Sequence, residues 1–567
     1  MIINRTAGFR KEKYGNPVDD LIYVGYNGKE ELSGNDCERE DCMNKRFNIT
    51  GTCIPGKHYM ADTSDKIEKI IRLIEQDSYF TMNRARQYGK TTTLMLLWKQ
   101  LKEQYIVINI SFEGLGNEAF RTEGAFVRRF CTRAAGSLKL SGYSKELADF
   151  WNTFSQEENL DTLKERISSF CKGSEREVLL FIDEVDKSAD NQMFLNFLGV
   201  LRELYLERAM GGITFKSVIL AGVYDVKNLK LKLRPEEERK YNSPWNVAVD
   251  FPIDMSLSVS EIWSMLRDYQ KDRGIAFETE TIVEEIYRYT SGYPFLVSLV
   301  CLWVDERLPE SMETAERWSV EGIHAAVREI LKSTNTLFDD VIKNIENNEK
   351  FKRFIEGILL EGRLIPYKLS NPEINLGVTF GIIAENNGIC RISNVIFEIY
   401  IYDHMIAGKL LEEKVLSVPR NQFITDDGDL NINAVLEKFQ DFMKSEYRKS
   451  DDSFLEKQGR LLFLAFLKPI INGTGHYVVE PETRDNTRMD VVVFYGKREY
   501  ILELKLWHGI KRFEEGMEQL AGYMEGRGQS QGWLLTFCFN EGREKKIEDY
   551  TREVNELNGK RIYSVVV

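Results

Sequence analysis

From Ser64 the run SDKIEKIIRLIEQ repeats its isoleucines at 67, 70, 71 and 74, a spacing that puts all four on one face of a helix. SYFTMNRARQYGKTTTLMLLWKQL then reads as a short strand, a loop and a helix. YIVINISF (105–112), EVLLFIDEVD (177–186) and KSVILAGVYD (216–225) are unbroken apolar runs of strand length, with the helical FLNFLGVLRELYLERA between the last two. Strands alternating with helices predict a parallel α/β sheet whose ligand sits at its carboxyl edge. Helical patterns dominate from Ser260 to about Asn348. Two further helical stretches then lead to a hairpin turn at Asn386-Asn387-Gly388, the pattern of a winged-helix module. VPRNQFITDDGDLN (418–431) reads as a linker into a last domain that runs helix, strands, helix, strand. The division expected is an arm over 1–57, an α/β core over 58–255, a helical lid over 256–345, a winged-helix-like module over 346–415, a linker over 416–431 and a terminal α/β domain over 432–567. No internal repeat is evident.

Composition narrows the class. The 567 residues are 43% hydrophobic and 29% charged, proportions of a soluble globular chain of several domains. No run approaches the roughly 20 apolar residues of a bilayer span, and MIINRTAGFRKEKYG has no apolar stretch behind its charges. A cytoplasmic protein with no membrane contact is expected. The net charge of −13 argues against a nonspecific, whole-surface nucleic-acid binder, though not against a local basic groove. Of the eight cysteines, Cys131, Cys171, Cys301 and Cys538 sit in apolar settings and read as free thiols. Cys37, Cys42, Cys53 and His58 have the donor types of a zinc site, but no CxxC knuckle. Loop thiols are the preferred reading.

Arg84-Ala-Arg-Gln-Tyr-Gly89-Lys90-Thr91 fits the phosphate-loop pattern GxxxxGK[ST] except that Arg84 replaces the first glycine. Backbone N–H groups at a helix start cradle phosphate oxygens, Lys90 reaches the β and γ phosphates, and the Thr91 hydroxyl binds Mg²⁺. Arg86, Gly89 and Thr92 complete the candidate contacts to ATP. LLFIDE brings Asp183 and Glu184 to the same sheet edge, where Asp183 serves the Mg²⁺ and Glu184 activates the attacking water.

The last domain carries a second chemistry. TRMDVVVFYGKREYILELKLW starts one strand with Asp490 and turns near Gly496 into a strand bearing Glu503 and Lys505. Residues two apart on a strand share a face, so Glu503 and Lys505 project together and Asp490 can meet them across the hairpin. Two carboxylates and the Leu504 carbonyl form a hard-oxygen site for Mg²⁺ or Mn²⁺, and Lys505 can orient a water or steady charge on phosphate. Such a site suits hydrolysis of a phosphodiester. Lys497, Arg498, Lys505, Lys511 and Arg512 against Glu499 and Glu503 give this stretch a local positive balance suited to a phosphate backbone. Trp507 and Phe513 could stack bases, although core packing is preferred for both. Glu480 and Glu482 either add a ligand or solvate a loop.

RARQYGKTTTL and FIDEVD resemble AAA-type ATPases of the signal-transduction class. That resemblance implies that SGYPFLVSLV (291–300) is their lid motif, with Pro294 near the base. It implies that Tyr59, ahead of the first helix, stacks adenine, and that Arg234 and Arg239 sense the γ-phosphate in cis or from a neighbouring copy. The polar residue usual on the strand of Val218–Val223 is absent, which leaves the sensing step open. Asp490 with ILELK resembles the PD-(D/E)xK nuclease superfamily. The resemblance implies that Glu456, on FLEKQGRLLFLAFL, completes the metal site, and that Gln519 and Tyr523 form the Gln-x-x-x-Tyr element of one branch. WLLTFCF (533–539) then supplies the next strand; Met489 stands where a proline is usual. With NSPWN and GRLLFLAFLKPIINGTGHYVVEPETR, the whole chain is similar to bacterial AAA-like ATPases that end in such a nuclease domain.

The function expected is an ATP-binding and ATP-hydrolysing, Mg²⁺-dependent nuclease whose ATPase module regulates cleavage, acting on nucleic acid, DNA ahead of RNA, with self-association open. Proteins that pair such modules often act in defence against phage or mobile DNA, an analogy of domain combination. The alternative is a signalling or scaffold NTPase whose terminal domain binds nucleic acid without cutting it. A sequence-specific winged-helix regulator ranks third, because residues 350–410 hold no dense basic helix.

Overall fold

The unbroken apolar runs become strands buried on both faces. β1 (Phe80–Asn83), β2 (Ile106–Ser111), β3 (Val178–Asp183) and β4 (Ser217–Gly222) form a parallel sheet in the order β1-β4-β3-β2. The computed structural model describes residues 45–567 apart from 156, 186–191, 224–244, 309–311, 360–362, 413–419, 426, 447–455, 472–474, 480–490, 497, 508 and 539–550. β3 shows why its sequence does not alternate. Leu179 and Phe181 pack under the helices Ser64–Glu75 and Lys90–Leu101, while Leu180 and Ile182 pack under Glu123–Leu140, Leu160–Gly173 and Gln192–Glu207. Ile67, Ile70 and Ile74 are buried as their spacing predicts; Ile71 is only partly so.

A capping box, Ser258 with Glu261, starts the helix Val259–Arg273, which opens a layer continued by Thr279–Thr290, Pro294–Leu302 and Val320–Lys332. Helices Thr336–Glu346, Glu349–Leu359 and Pro372–Thr379 lead to the antiparallel hairpin β5 (Ile383–Asn386) and β6 (Ile389–Ile392). Asn387 and Gly388 at its turn have φ of 50° and 79°, the double positive φ that Asn-Gly turns supply. The long helix Val395–Glu412 follows.

The C-terminal part holds β7 (Gly475–Val479), β8 (Val491–Tyr495), β9 (Arg498–Leu506), β10 (Gln531–Phe537), β11 (Arg552–Leu557) and β12 (Lys560–Val566) in the order β11-β12-β10-β9-β8-β7. β7, β8 and β9 run antiparallel, β9, β10 and β12 parallel. One face, with Val491, Val493, Leu502, Leu504 and Leu535, packs on helix Glu456–Ile471 through Phe463, Leu464 and Leu467. The other, with Val492, Ile501 and Leu534, packs on helix Ile510–Gly526 through Leu520, Ala521 and Met524. Residues 45–567 form one compact unit. Among the described residues, no helix is long and apolar enough to cross a membrane.

The helical layer grips this second sheet through a buried polar cluster. His476 on β7 stacks on Phe494 of β8 at 4.9 Å and lies 3.5 Å from the Tyr289 hydroxyl. His324 contacts Glu285 at 2.5 Å and packs edge-on against Phe494. Burial, reinforced by the positive charge of His324, Arg328, Arg288 and Lys468, holds the His476 imidazole neutral far below its ordinary range. Burial raises the Glu285 carboxyl, but hydrogen bonds from His324 and Arg288 overcome it and bring it down to about 2. Both shifts cost stability on acidification. Unfolded His476 takes up a proton near pH 6.5 that the folded chain refuses, so stability is full above that pH and declines below it by up to about 1.4 kcal/mol per pH unit. Glu285 adds a second loss as pH falls from its ordinary carboxylate range towards 2. Denaturation midpoints should therefore drop between pH 7.5 and 5.5, and His476→Phe should flatten that dependence.

Candidate functional site

At the carboxyl edge of the first sheet, Gly89 takes φ +78° and turns the chain from the loop after β1 into helix Lys90–Leu101. Lys90 is 6% exposed, and its ammonium donates to the carbonyls of Arg84 and Ala85 at 2.9 Å each. It thus closes the loop into a ring whose backbone N–H groups begin a helix. The Thr91 hydroxyl donates to the Asp183 carboxylate at 2.6 Å, across 92 positions of sequence. These two hard-oxygen donors converge where a phosphate-bound Mg²⁺ needs them, so the residues present fit MgATP. The other Asp183 oxygen accepts from the Glu184 N–H at 2.9 Å. Glu184 itself has φ +55°, a strained conformation for a side-chain-bearing residue that concentrates at functional sites.

The missing first glycine has a physical explanation. The Arg84 side chain turns out of the loop, donates to the carbonyls of Asn83 and Ile253, and lies 5.5 Å over the Phe251 ring. It anchors the segment after β4 that bridges Phe80 through Val249. β4 is apolar apart from Ser217, whose hydroxyl donates to the Ser78 carbonyl, so β4 brings no polar sensor to the phosphate edge.

Beside the loop lies a largely apolar cavity lined by Met60, Ile67, Gly89, Thr92, Met265 and Pro294. Its walls suit a flat heterocycle. Pro294 is the first residue of helix Pro294–Leu302, and the Thr92 hydroxyl accepts from the Cys53 N–H at 3.1 Å, which holds the lead-in segment over the cavity. Tyr59 lines the same space, but its ring is packed against Phe47 at 4.9 Å and Tyr269 at 5.2 Å. On this side the cavity wall is therefore part of an aromatic core, a packing that the sequence pattern does not foresee. Arg86 also departs from expectation: its guanidinium pairs with Asp340 at 2.8 Å. Arg234 and Arg239 lie outside the described residues.

The residue the sequence reading undervalues is Tyr293. Its hydroxyl donates to the Arg86 carbonyl at 2.6 Å and its ring meets Tyr88 edge-on at 4.4 Å. Gly292, at φ +72°, accepts from the Leu257 N–H at 2.7 Å. The Gly-Tyr-Pro triplet thus fastens the helical layer to the phosphate loop.

On the second sheet, Glu503 is 1% exposed and its carboxylate meets the Lys505 ammonium at 2.8 Å. Both lie on the face covered by helix Ile510–Gly526, where Gly516 leaves room for the Lys505 stem. Asp490 lies outside the described residues, but Val491, which follows it, pairs with Leu502, which precedes Glu503. Glu456 opens the helix that packs on the opposite face; its side chain lies outside the described residues. Gln519 is exposed and Tyr523 buried on the covering helix. Thr536, unremarked in the sequence, pairs in register with Lys505 and is buried, and its hydroxyl has no partner among the described residues.

The basic strip is less continuous than its sequence suggests. Arg498 pairs with Asp429 at 2.7 Å, and it lies five residue steps along β9 from Glu503, about 16 Å. Lys505 is taken by Glu503, and Lys497 lies outside the described residues. Trp507 is buried with its ring 6.0 Å from that of Phe513, so it packs in the core, and its backbone N–H donates to the Phe537 carbonyl. Among the described residues, no cluster of three or more metal-ligating side chains occurs. The His58 Nδ1 accepts from the Ile54 N–H at 2.8 Å, which places the ring proton on Nε2 and leaves no lone pair for zinc. Cys53 is a free thiol; Cys37 and Cys42 lie outside the described residues.

Residues 57–312 match the family model of an AAA-like domain. No curated protein matches the chain. Similar solved structures include the Walker-type ATPase of Pyrococcus abyssi, 13% identical over 63% of this chain and 99% of that one, with a TM-score of 0.41. The RuvB Holliday junction branch migration motor of Thermotoga maritima is 14% identical over 63% and 98%, with a TM-score of 0.30. The ORC1 protein of Aeropyrum pernix, solved in complex with DNA, is 12% identical over 62% and 94%, with a TM-score of 0.28. The first sheet and its phosphate loop both fall within residues 57–312, the part of the chain that matches the AAA-like domain model.

Proposed function

We propose that this AAA-like domain binds and hydrolyses ATP and controls a Mg²⁺-dependent phosphodiesterase centred on Asp490, Glu503 and Lys505, with nucleic acid as substrate. The observation that carries the nuclease reading is the buried Glu503 carboxylate held 2.8 Å from Lys505 on one sheet face, with the residue after Asp490 paired beside it. Burying an acid beside a lysine costs desolvation, and ionisable pairs held that way cluster at functional sites. The helix–three strands–helix–strand order around it is that of the PD-(D/E)xK fold, which we infer for residues 432–567.

Each residue then has a task. Asp490 and Glu503 would hold the divalent ion, with Glu456 reaching it from the end of its helix; Gln519 would contact the backbone of the substrate. When bound, Mg²⁺ supplies Lewis-acid stabilisation of the phosphate charge. Lys505 orients the attacking water and can pass positive charge to the phosphate oxygens. In the first sheet, Lys90 gives its ammonium to the phosphates in place of the Arg84 and Ala85 carbonyls, and Glu184 takes a proton from water. The helical lid and the winged-helix-like module, residues 256–345 and 346–415, would transmit the nucleotide state. By analogy of domain combination we infer a setting in defence against phage or mobile DNA.

Purified protein incubated with plasmid and single-stranded DNA should cut in Mg²⁺ or Mn²⁺ and not in chelator, with a rate that changes on adding ATP. Lys90→Ala should lose ATP hydrolysis by about 100-fold or more and lose the ATP effect on cutting. Retained nucleic-acid binding with no cutting in any divalent ion would instead favour a signalling ATPase with a binding-only terminal domain.

A further inference from the structure

The tip of the phosphate loop is not free. Gln87, at φ +58°, donates from its side chain to the Thr336 hydroxyl at 3.2 Å, and Arg86 pairs with Asp340 at 2.8 Å. Both partners lie on helix Thr336–Glu346, about 250 positions downstream. The loop is touched a third time by Gly381, whose φ is +70°; a Cβ there would stand 2.8 Å from the Ala85 methyl. A fourth contact runs through Tyr293, whose ring lies 5.4 Å from Phe397 and whose hydroxyl holds the Arg86 carbonyl. Between the tip, Val223 after β4 and this helix lies a cavity that Arg86, Asp340, Lys343 and Asn344 share. It sits at the carboxyl edge of β4, the side on which a terminal phosphate projects. Two cations against one anion make it attractive to that phosphate.

We propose that Asp340 is a positioning residue of the nucleotide site: it holds Arg86 off the phosphates, and a γ-phosphate draws Arg86 away from it. This rests on the ATP-binding reading above and deepens it. The exchange trades an ion pair with one carboxylate for one with a doubly charged phosphoryl group, so it discriminates ATP from ADP. It also removes one of the two polar ties between helix Thr336–Glu346 and the loop, which gives that helix a direct report of the bound nucleotide. No sensor on β4 is then required. Linkage makes the effect reciprocal: whatever favours the Arg86–Asp340 pair weakens ATP, and ATP weakens the pair.

The test compares ATP and ADP affinities by calorimetry, using a hydrolysis-resistant ATP analogue. Asp340→Asn should tighten ATP about three- to fivefold and leave ADP unchanged, since only the γ-phosphate competes for Arg86. Asp340→Glu, which can rebuild the pair, should keep the wild-type ratio. Arg86→Ala should lower the ATP-to-ADP preference, and adding Asp340→Asn to it should change nothing further. Equal shifts for both nucleotides, no shift, or additive effects of the two substitutions would each overturn the proposal while leaving ATP binding intact. Wild-type protein that binds neither nucleotide would remove the nucleotide reading itself and this proposal with it.

Discussion

Gly292→Ala should destabilise the chain by about 3 kcal/mol or more and uncouple the helical lid from the phosphate loop. Two independent costs combine. At φ +72° a methyl-bearing residue is strained by about 1–3 kcal/mol. The new Cβ would also stand 1.9 Å from the Leu257 carbonyl oxygen, inside any contact distance, so backbone must move. Backbone here is the Gly292–Leu257 hydrogen bond at 2.7 Å and the adjoining Tyr293, whose hydroxyl holds the Arg86 carbonyl. Denaturant unfolding should show the loss, and ATP affinity should fall with it because Pro294 and Met265 wall the cavity beside the loop. Tyr293→Phe, which removes only the hydroxyl, separates the two effects: a stability loss of about 1 kcal/mol, with a clear change in nucleotide affinity.

What could be read from the chain follows from the range of the forces involved. Strands buried on both faces announce themselves as unbroken apolar runs, and the phosphate loop is a local turn, so Gly89, Lys90 and Thr91 needed no tertiary information. Even the Thr91–Asp183 pair was foreseeable, because parallel strands align their carboxyl ends. The parity of Glu503 and Lys505 was legible for the same reason. Illegible were interactions chosen by packing between distant elements. Arg86 finds Asp340 across 254 positions, and Tyr59 has its neighbours fixed by the aromatic residues Phe47 and Tyr269. The basic strip misled because a charge count along sequence ignores that a strand spreads its residues about 3.3 Å apart and alternates their faces. The Thr536 hydroxyl, without a partner among the described residues, carries no sequence signal at all, since a threonine in a strand is ordinary.

The carboxylate site yields the other large effect. Glu503→Gln should reduce DNA cleavage by about 1,000-fold or more while barely altering stability. The amide keeps the shape of a side chain that is 1% exposed, can still accept from Lys505, and removes the negative charge that a divalent ion requires. Lys505→Met should be equally inactive but behave differently in the folded state. It takes away the ammonium that stands 2.8 Å from a buried carboxylate, a loss of about 3 kcal/mol. Cleavage rates in Mg²⁺ together with urea midpoints separate the alternatives. If the pair is only a structural ion pair on an inert sheet, both variants cut like wild type and the stability asymmetry alone survives. If the pair serves a metal, cleavage is lost in both variants, although only Lys505→Met is destabilised.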